Sequence, residues 1–268
     1  MAMCGIVAYI GSQQALPILI NGLQRLEYRG YDSAGVAVLE EGLPLRVAKR
    51  KGRVADLLEA IGDDEVGGTI GIGHTRWATH GPPNDVNAHP HVSGVRDLAL
   101  IHNGIIENYH ALKESLLQRG HQFESDTDTE VLAHLIEEVR NTTGKSLFDA
   151  IRIALNEVQG AYAIVVLDET NPNQLIAARK SSPLVIGVGS EGDFYVASDA
   201  TPIIEYTANV VYLEDEEIAL IDRENGLHIR TIHNSEVTPE IIELEMQLEA
   251  IEKGGYEHFM LKEIFEQP

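Results

Sequence analysis

The chain has 268 residues, of which 44% are hydrophobic and 23% charged, and its formal net charge is −22. These values suit one large or two small globular domains with a buried core. They argue against nucleic acid or an anionic membrane as a partner, and no apolar run approaches the roughly 20 residues of a membrane helix. The single cysteine, Cys4, excludes an internal disulfide. With no secretory signal at the start, this cysteine content is typical of a cytoplasmic protein.

Apolar periodicity predicts six helices, and several of them carry helix-capping signals. Asp128 and Ser146 are expected N-caps, and Gly120 suits the position after a helix end. The predicted helices span 15–25, 54–61, 109–119, 129–140, 147–158 and 239–253.

Short apolar or alternating runs predict many strands, clustered rather than alternating with helices. This pattern favours an α+β fold with mostly antiparallel sheets. The predicted strands span 4–10, 35–39, 45–48, 69–73, 98–102, 161–167, 174–178, 184–188, 193–197, 209–213, 217–221 and 227–232.

The chain opens with Cys4-Gly5-Ile6-Val7, a cysteine at the start of a predicted buried strand. A thiol is nucleophilic only as a thiolate and therefore needs a base. If Cys4 were the first residue of the mature chain, its own α-amino group, with an ordinary pKa of about 7.7–8.0, could take the proton. The alternative is an inert thiol that fills space in the strand.

Two polar segments follow predicted strands, where side chains can face a cleft. In 73–81, Gly-His-Thr-Arg-Trp-Ala-Thr-His-Gly, Arg76 offers a planar fork for a carboxylate. In 102–104, His-Asn-Gly, the amide of Asn103 and the backbone N–H of Gly104 are a natural pair of oxyanion donors.

Two further segments also have simple structural explanations. The segment 26–35, Leu-Glu-Tyr-Arg-Gly-Tyr-Asp-Ser-Ala-Gly, is a polar turn in which Arg29 and Asp32 could form a surface ion pair. The segment 125–130, Ser-Asp-Thr-Asp-Thr-Glu, is typical of a helix N-cap, although its carboxylates could also hold an ammonium group.

Together these five segments resemble the class II, N-terminal-nucleophile glutamine amidotransferases. Within that family, 27–35 and 74–81 favour the glutaminase domains of glucosamine-6-phosphate synthases over the phosphoribosylpyrophosphate amidotransferases. The match runs from Cys4 to the end of the chain, and it is strengthened by the segments 87–91, 103–108, 160–163 and 182–187.

The resemblance implies a four-layer αββα sandwich, with two antiparallel sheets between helices. It implies Cys4 as nucleophile with its α-amino group as base, and an oxyanion hole formed by the Asn103 side chain and the Gly104 backbone. It also implies that L-glutamine is bound by Arg76 at its α-carboxylate and by Asp128 at its α-ammonium group. Other residues are implied to close over the site or to support it: Trp77, Thr79, His80, Arg29, His89 and His102.

Family members begin Met-Cys, whereas Met1-Ala2-Met3 precede Cys4 in this chain. We expect residues 1–3 to be an extension added for expression and 4–240 to be the type 2 glutamine amidotransferase domain. We expect a C-terminal helix and the start of a linker in 241–268. With the extension in place, the nitrogen of Cys4 is part of a peptide bond and cannot act as a base. The resemblance also implies sugar-phosphate isomerase domains after the linker and a homo-oligomeric full-length enzyme.

A metal site is one alternative, since five of the 11 histidines fall between His74 and His102. The sequence His89-Pro90-His91 is poor ligand geometry, however, and there is no second cysteine, so we expect no metal. The resemblance implies no cofactor. Two other functions stay open: a glutamine-binding module without catalysis, blocked at its N-terminus, and the glutaminase domain of another class II amidotransferase.

Overall fold

The computed structural model describes residues 4–62 and 67–244. Within these ranges, two sheets of antiparallel strand pairs and five α-helices form an α+β fold. No helix in the described ranges combines the length and apolar character needed to cross a membrane. The helices are α1 (Ala15–Leu26), α2 (Val54–Ile61), α3 (Tyr109–Gln118), α4 (Asp128–Thr143) and α5 (Leu147–Glu157).

The first sheet has eight strands. In chain order they are β1 (Gly5–Ile10), β2 (Ser33–Leu39), β3 (Arg46–Lys51), β4 (Ile70–Arg76), β9 (Val185–Val188), β10 (Phe194–Ala197), β11 (Asn209–Tyr212) and β15 (Ile242–Glu243). Their spatial order is β15-β11-β9-β10-β1-β4-β2-β3, so β1 is an interior strand.

The second sheet has seven strands. In chain order they are β5 (His91–Val92), β6 (Leu98–Ile106), β7 (Gly160–Asp168), β8 (Gln174–Lys180), β12 (Glu217–Asp222), β13 (Gly226–Thr231) and β14 (Glu236–Val237). Their spatial order is β14-β13-β12-β8-β7-β6-β5.

The two-residue period of the strands sorts their side chains into separate apolar layers. On β1, Ile6 and Ala8 pack between the sheets, while Val7 and Tyr9 pack against α1. The second sheet buries its other face against α4 and α5 in the same way. The result is the four-layer αββα sandwich that the resemblance implies.

Helix α4 begins one residue earlier than the sequence predicted. The N-cap is Thr127, whose hydroxyl accepts a hydrogen bond from the Glu130 backbone N–H at 3.3 Å. Asp128 is therefore the first helical residue rather than the cap, and its carboxylate is free to point elsewhere. The prediction for Ser146 is confirmed, because its hydroxyl accepts from the Asp149 N–H at 3.2 Å.

Two strands continue through the polar residues that the sequence placed after them. β4 runs on to Arg76, and β6 runs on through Asn103 and Gly104 to Ile106. Both extensions lie in register with neighbouring strands, which fixes the positions of these polar residues.

The prediction of a final helix is wrong for the described part of its range. Ile242 pairs with Val210 of β11, and the Leu244 N–H donates to the Ala208 carbonyl at 2.8 Å. Sheet-edge pairing and burial of Leu244 against the apolar layer below α1 outweigh the helical pattern there. The remainder of the predicted helix, 245–253, lies outside the described residues.

Candidate active site

One end of the layer between the sheets changes from apolar to polar. Ile72 of β4 and Ile101 of β6 face this layer, and the two-residue period puts His74, Arg76 and Asn103 on the same inner faces. Cys4 directly precedes β1 and continues the inner face of that strand. Three strands from two sheets therefore bring a thiol, an imidazole, a guanidinium and an amide together.

The thiol, the guanidinium and the amide line a cavity of about 630 Å³. Its wall contains ten of the eleven residues singled out from the sequence, which are Cys4, Arg29, Arg76, Trp77, Thr79, His89, His102, Asn103, Gly104 and Asp128. The eleventh, His80, lies beside them, with Nδ1 4.0 Å from Asp128 Oδ1.

The Cys4 thiol lies close to the start of the 77–81 loop. Its Sγ accepts a hydrogen bond from the Trp77 backbone N–H at 3.2 Å. The neighbouring Gly5 allows β1 to pack closely against β4 and α1, because a Cβ there would lie 2.6 Å from Thr75 Oγ1 and 2.8 Å from Leu26 Cβ. Burial raises the pKa of the Cys4 thiol, so the group is protonated at neutral pH and needs a base to become a nucleophile.

Asn103 is fixed from both ends of its amide group. Its Nδ2 donates to the Cys4 carbonyl at 3.0 Å, and its Oδ1 accepts from His74 Nε2 at 2.9 Å. His74 Nε2 also donates to the His102 carbonyl at 3.1 Å, which identifies it as the protonated ring nitrogen. The Nδ2 group has a second hydrogen, so one N–H remains to donate toward a ligand.

Gly104 follows in a conformation that other residues rarely adopt. Its φ is +132°, and a Cβ would lie 2.1 Å from the Ala161 carbonyl oxygen of β7. Only glycine fits at this position, which leaves the backbone of Gly104 uncovered at the cavity.

Arg76 is almost fully buried, and its two terminal nitrogens differ in their hydrogen bonding. Its Nη2 donates to the carbonyl oxygens of His80 and of Gly81, the latter at 3.2 Å. Its Nη1 is buried and has no hydrogen-bond partner among the described residues. A buried guanidinium nitrogen at the wall of a polar cavity is suited to an anionic ligand group.

Asp128 brings a carboxylate to the opposite wall. As the first residue of α4, it accepts a hydrogen bond from the Ile106 backbone N–H at 2.8 Å through Oδ2. Its Oδ1 is left toward His80 and the cavity. An uncompensated carboxylate oxygen of this kind can accept from an ammonium group.

The loop 77–81 is held by contacts near both of its ends, and the sequence did not predict that two residues would share this role. Asp32 Oδ2 accepts from the Ala78 N–H, and Arg76 binds the carbonyls at the other end of the loop. The sequence offered Arg29 and Asp32 as a possible surface ion pair, whereas the structure buries Arg29. Arg29 Nη1 instead lies 3.3 Å from Asp199 Oδ2, a residue of the turn after β10.

Four buried histidines support this end of the sheets, and burial keeps them neutral. It lowers the pKa of His74 to about 3 and lowers the pKa values of His89, His91 and His102 as well. Neutral His102 donates from Nε2 to the Ala161 carbonyl and accepts from the Thr129 hydroxyl at Nδ1. His89 packs its ring 4.2 Å from that of His74. These histidines therefore act as fixed hydrogen-bonding and packing groups.

Comparison with known proteins decides the family. The glutamine amidotransferase domain family matches residues 46–235, which is well over half of the chain. The chain belongs to the glutamine amidotransferase family.

Curated relatives of this amidotransferase domain are longer proteins. The chain is 59% identical over 266 residues to a glutamine–fructose-6-phosphate aminotransferase (isomerizing) of Bacteroides thetaiotaomicron. The match covers 99% of this chain and 43% of that protein. The chain is 55% identical over 270 residues to the protein of the same name from Chlorobaculum tepidum, with the same two coverages. The chain thus spans less than half the length of these relatives.

Solved structures share the fold of the amidotransferase domain. The glutamine phosphoribosylpyrophosphate amidotransferase of B. subtilis matches with a TM-score of 0.73 and 30% identity, over 85% of this chain and 49% of that one. An allosteric regulatory enzyme of purine biosynthesis matches with a TM-score of 0.74 and 31% identity, with the same coverages. These neighbours support the sandwich fold deduced from the resemblance.

Sequence reasoning missed several residues that shape the amidotransferase cavity. His74 orients Asn103, and Asp32 anchors the loop at Ala78. Asn87 links the end of the loop to the turn before α4, because it donates to the Pro82 carbonyl at 3.0 Å and accepts from the Asp126 N–H at 3.0 Å. The strand period could have revealed His74, since it shares the inner face with Arg76. The pairing across the loop depends on contacts between distant segments and carries no local signal.

Proposed function

We propose that the chain hydrolyses L-glutamine to glutamate and ammonia through a thioester on Cys4. The observation that carries this proposal is the convergence of the single thiol, one buried cation, one buried carboxylate and an oriented amide on a single cavity. Each of these groups matches one part of glutamine or one charge that develops in the reaction.

Arg76 and Asp128 would bind the two charged ends of free glutamine. The unpartnered Nη1 of Arg76 would donate to the α-carboxylate, and Asp128 Oδ1 would accept from the α-ammonium group. Selection of both ends explains why a free amino acid, and not a glutamine side chain within a protein, would be the substrate. Trp77, Thr79 and His80 would close over it, and Arg29, His89 and His102 would support the wall.

The reaction requires a base for a thiol whose pKa is raised. A free α-amino group on Cys4 would take the thiol proton while Sγ attacks the side-chain amide carbon. The oxyanion that forms would be stabilised by the second N–H of Asn103 and the backbone N–H of Gly104. The protonated amine would then pass its proton to the leaving nitrogen, which departs as ammonia and leaves a γ-glutamyl thioester.

Water would complete the cycle. The same amine would remove a proton from water as its oxygen attacks the thioester carbonyl, and collapse would return a proton to the Cys4 sulfur and release glutamate. This scheme fails if Cys4 is acylated at its nitrogen, because an amide nitrogen has no available lone pair. Residues 1–3 would therefore have to be removed before the chain is active.

In a longer protein, we propose that the ammonia serves the conversion of fructose 6-phosphate to glucosamine 6-phosphate. The names and lengths of the relatives support this, since each is a glutamine–fructose-6-phosphate aminotransferase more than twice as long as the match. Sugar-phosphate isomerase domains would be the partners, within a homo-oligomeric enzyme of the cytoplasm. Residues 1–268 alone would not make glucosamine 6-phosphate.

Ammonia release by two forms of the protein tests the proposal. One form begins at Cys4 and the other keeps Met1-Ala2-Met3, each verified by mass spectrometry. We expect glutaminase activity only in the first form, and Cys4→Ala in that form should abolish hydrolysis while calorimetry still detects glutamine binding. Equal activity in the extended form would exclude the α-amine as base. Binding without hydrolysis in the trimmed form would favour a non-catalytic glutamine-binding module.

A further inference from the structure

A second group of titratable side chains converges outside the glutamine cavity, where α4 passes the residues that follow α3. His134 and Glu137 lie three residues apart on α4, and His121 lies just after α3. His121 Nδ1 is 3.1 Å from His134 Nδ1, and Glu137 Oε2 is 3.6 Å from each of these nitrogens. All three residues line a cavity of about 530 Å³.

The spacing of these three atoms matches that of ligands on one metal ion. A triangle with sides of 3.1, 3.6 and 3.6 Å has a centre about 2 Å from every corner, which is the bond length of Zn²⁺ to imidazole nitrogen and carboxylate oxygen. Two imidazole nitrogens and one carboxylate oxygen suit Zn²⁺ better than Mg²⁺ or Ca²⁺, which prefer oxygen ligands only.

The surrounding groups orient the three side chains as the outer contacts of a metal site do. The second ring nitrogen of His121 lies 3.1 Å from Glu138 Oε2, and that of His134 lies 3.8 Å from Glu130 Oε1. A carboxylate on the far nitrogen fixes the ring and makes the near nitrogen a better ligand. Glu137 is itself held, because its two oxygens accept from the Gly94 N–H at 3.1 Å and the Val95 N–H at 3.0 Å.

We propose that His121, His134 and Glu137 form a binding site for a divalent transition-metal ion, with Zn²⁺ as the preferred occupant. The cavity side of the site leaves room for water as a fourth ligand. The site is separate from the proposed glutaminase centre and shares no ligand with it.

A proton competes with the metal for the same atoms. Burial lowers the pKa of His134, but hydrogen bonds to Glu130 and Glu137 outweigh burial and raise it to about 9. A cluster held together only by this proton would have no affinity for a metal ion, so metal binding itself is the decisive measurement.

Calorimetric titration of the metal-depleted protein with Zn²⁺ tests the proposal. The titration uses the Cys4→Ala variant, which removes the thiol as a competing ligand and makes the result independent of glutamine hydrolysis. We expect one Zn²⁺ per chain, and the visible spectrum of a four-coordinate nitrogen and oxygen complex when Co²⁺ replaces it. His121→Asn and His134→Asn should each weaken binding by more than about 100-fold, and Glu138→Gln by roughly 10–100-fold.

His233→Asn is the matched control, because this exposed histidine also has a glutamate nearby, Glu216 at 3.8 Å. It should bind Zn²⁺ as the parent does. No Zn²⁺ binding by the parent, unchanged binding by His121→Asn, or an equal loss in the control would each overturn the proposal. If His134→Asn unfolds by circular dichroism, His121→Asn and Glu138→Gln decide the result, because neither side chain is fully buried.

Discussion

Two groups of histidines lie near the first turns of α4 and differ in charge, since those around Cys4 are neutral and His134 in the second group carries a proton. Around Cys4, burial keeps His74 neutral, with a pKa of about 3, and its partners are a carbonyl and an amide oxygen. On α4, His134 has a pKa raised to about 9 by Glu130 and Glu137, although it is also buried. Burial lowers the pKa of both histidines, but two carboxylates outweigh it at His134 and no carboxylate contact offsets it at His74.

The two groups of histidines would therefore have different roles. Neutral histidines add no charge beside a thiol that, in the proposed reaction, would be deprotonated and reprotonated in each cycle, and His74 fixes the amide that would bind the oxyanion. His121, His134 and Glu137 carry the ligand atoms of the proposed metal site, for which a metal ion would compete with the proton on His134. Thr127 joins the two, because its hydroxyl contacts His91 Nε2 at 3.0 Å and also caps the helix that carries His134.

The largest expected effect comes from the neutral side. Asn103→Ala, measured in the form that begins at Cys4, should lower kcat by about 10²–10³, or roughly 2.7–4 kcal/mol, with a smaller change in KM. His121→Asn, on the charged side, should leave kcat near the parent value. Steady-state ammonia release gives both numbers. An effect of Asn103→Ala on KM alone would make Asn103 a binding residue instead of an oxyanion donor.

Acid should destabilise the protein through the neutral histidines. His74 has a folded pKa of about 3 and an unfolded value of about 6.5, so below pH 6.5 only the unfolded chain takes up the proton. The contribution of His74 to stability is therefore complete above about pH 6.5 and falls as the pH drops toward 3, by about 1.4 kcal/mol per pH unit.

Urea unfolding between pH 8 and pH 5 measures this dependence. His233→Asn, which removes an exposed histidine, should leave the curve unchanged. A midpoint that stays constant from pH 7 to pH 5 would show that the buried histidines accept protons without cost.

Arg76→Lys should raise KM for glutamine by roughly 10–100-fold, because an ammonium cannot replace a fork that binds the loop and the α-carboxylate together. The change in kcat should be smaller. Asp128→Asn is the matched test at the other end of the substrate, since it should lose less affinity for a glutamine analogue without the α-amino group. Equal losses for glutamine and this analogue would leave Asp128 with a structural role only.

The smallest expected effect lies at the residue that joins the two groups. Thr127→Ala should lower the free energy of unfolding by about 1–2 kcal/mol, because it removes the α4 cap and a partner of His91. Thr127→Ser keeps the hydroxyl and should recover most of the loss. Equal stability of the alanine and serine variants in thermal unfolding would contradict the role of the cap.

Local signals in the sequence predicted most of the fold. The ends of α2 and the Ser146 cap of α5 follow from propensity and capping, which involve neighbouring residues only. The two-residue strands β5 and β14 were missed because so short a run has no measurable period. The predicted strand 98–102 ended before Asn103 because inner-face positions of a strand are normally apolar. Functional sites are where that rule fails.

The candidate site was predicted from resemblance more than from pattern. The motifs named Cys4, Arg76 and Asp128, and the cavity brings them together. Contacts between segments far apart in the chain, such as Arg29 with Asp199, have no local signature. The histidine-rich stretch 74–102 was considered as a metal site from the sequence. The ring nitrogens spaced as metal ligands belong instead to His121 and His134, which lie 13 residues apart.

The order of the strands has a consequence for solubility. In the described chain, three of the four sheet edges are the two-residue strands β15, β14 and β5, too short to template another strand. The fourth edge, β3, is Arg-Val-Ala-Lys-Arg-Lys, whose four cations repel a second copy of the same edge. These edges therefore disfavour edge-to-edge growth between neighbouring molecules, although the fold is rich in strands.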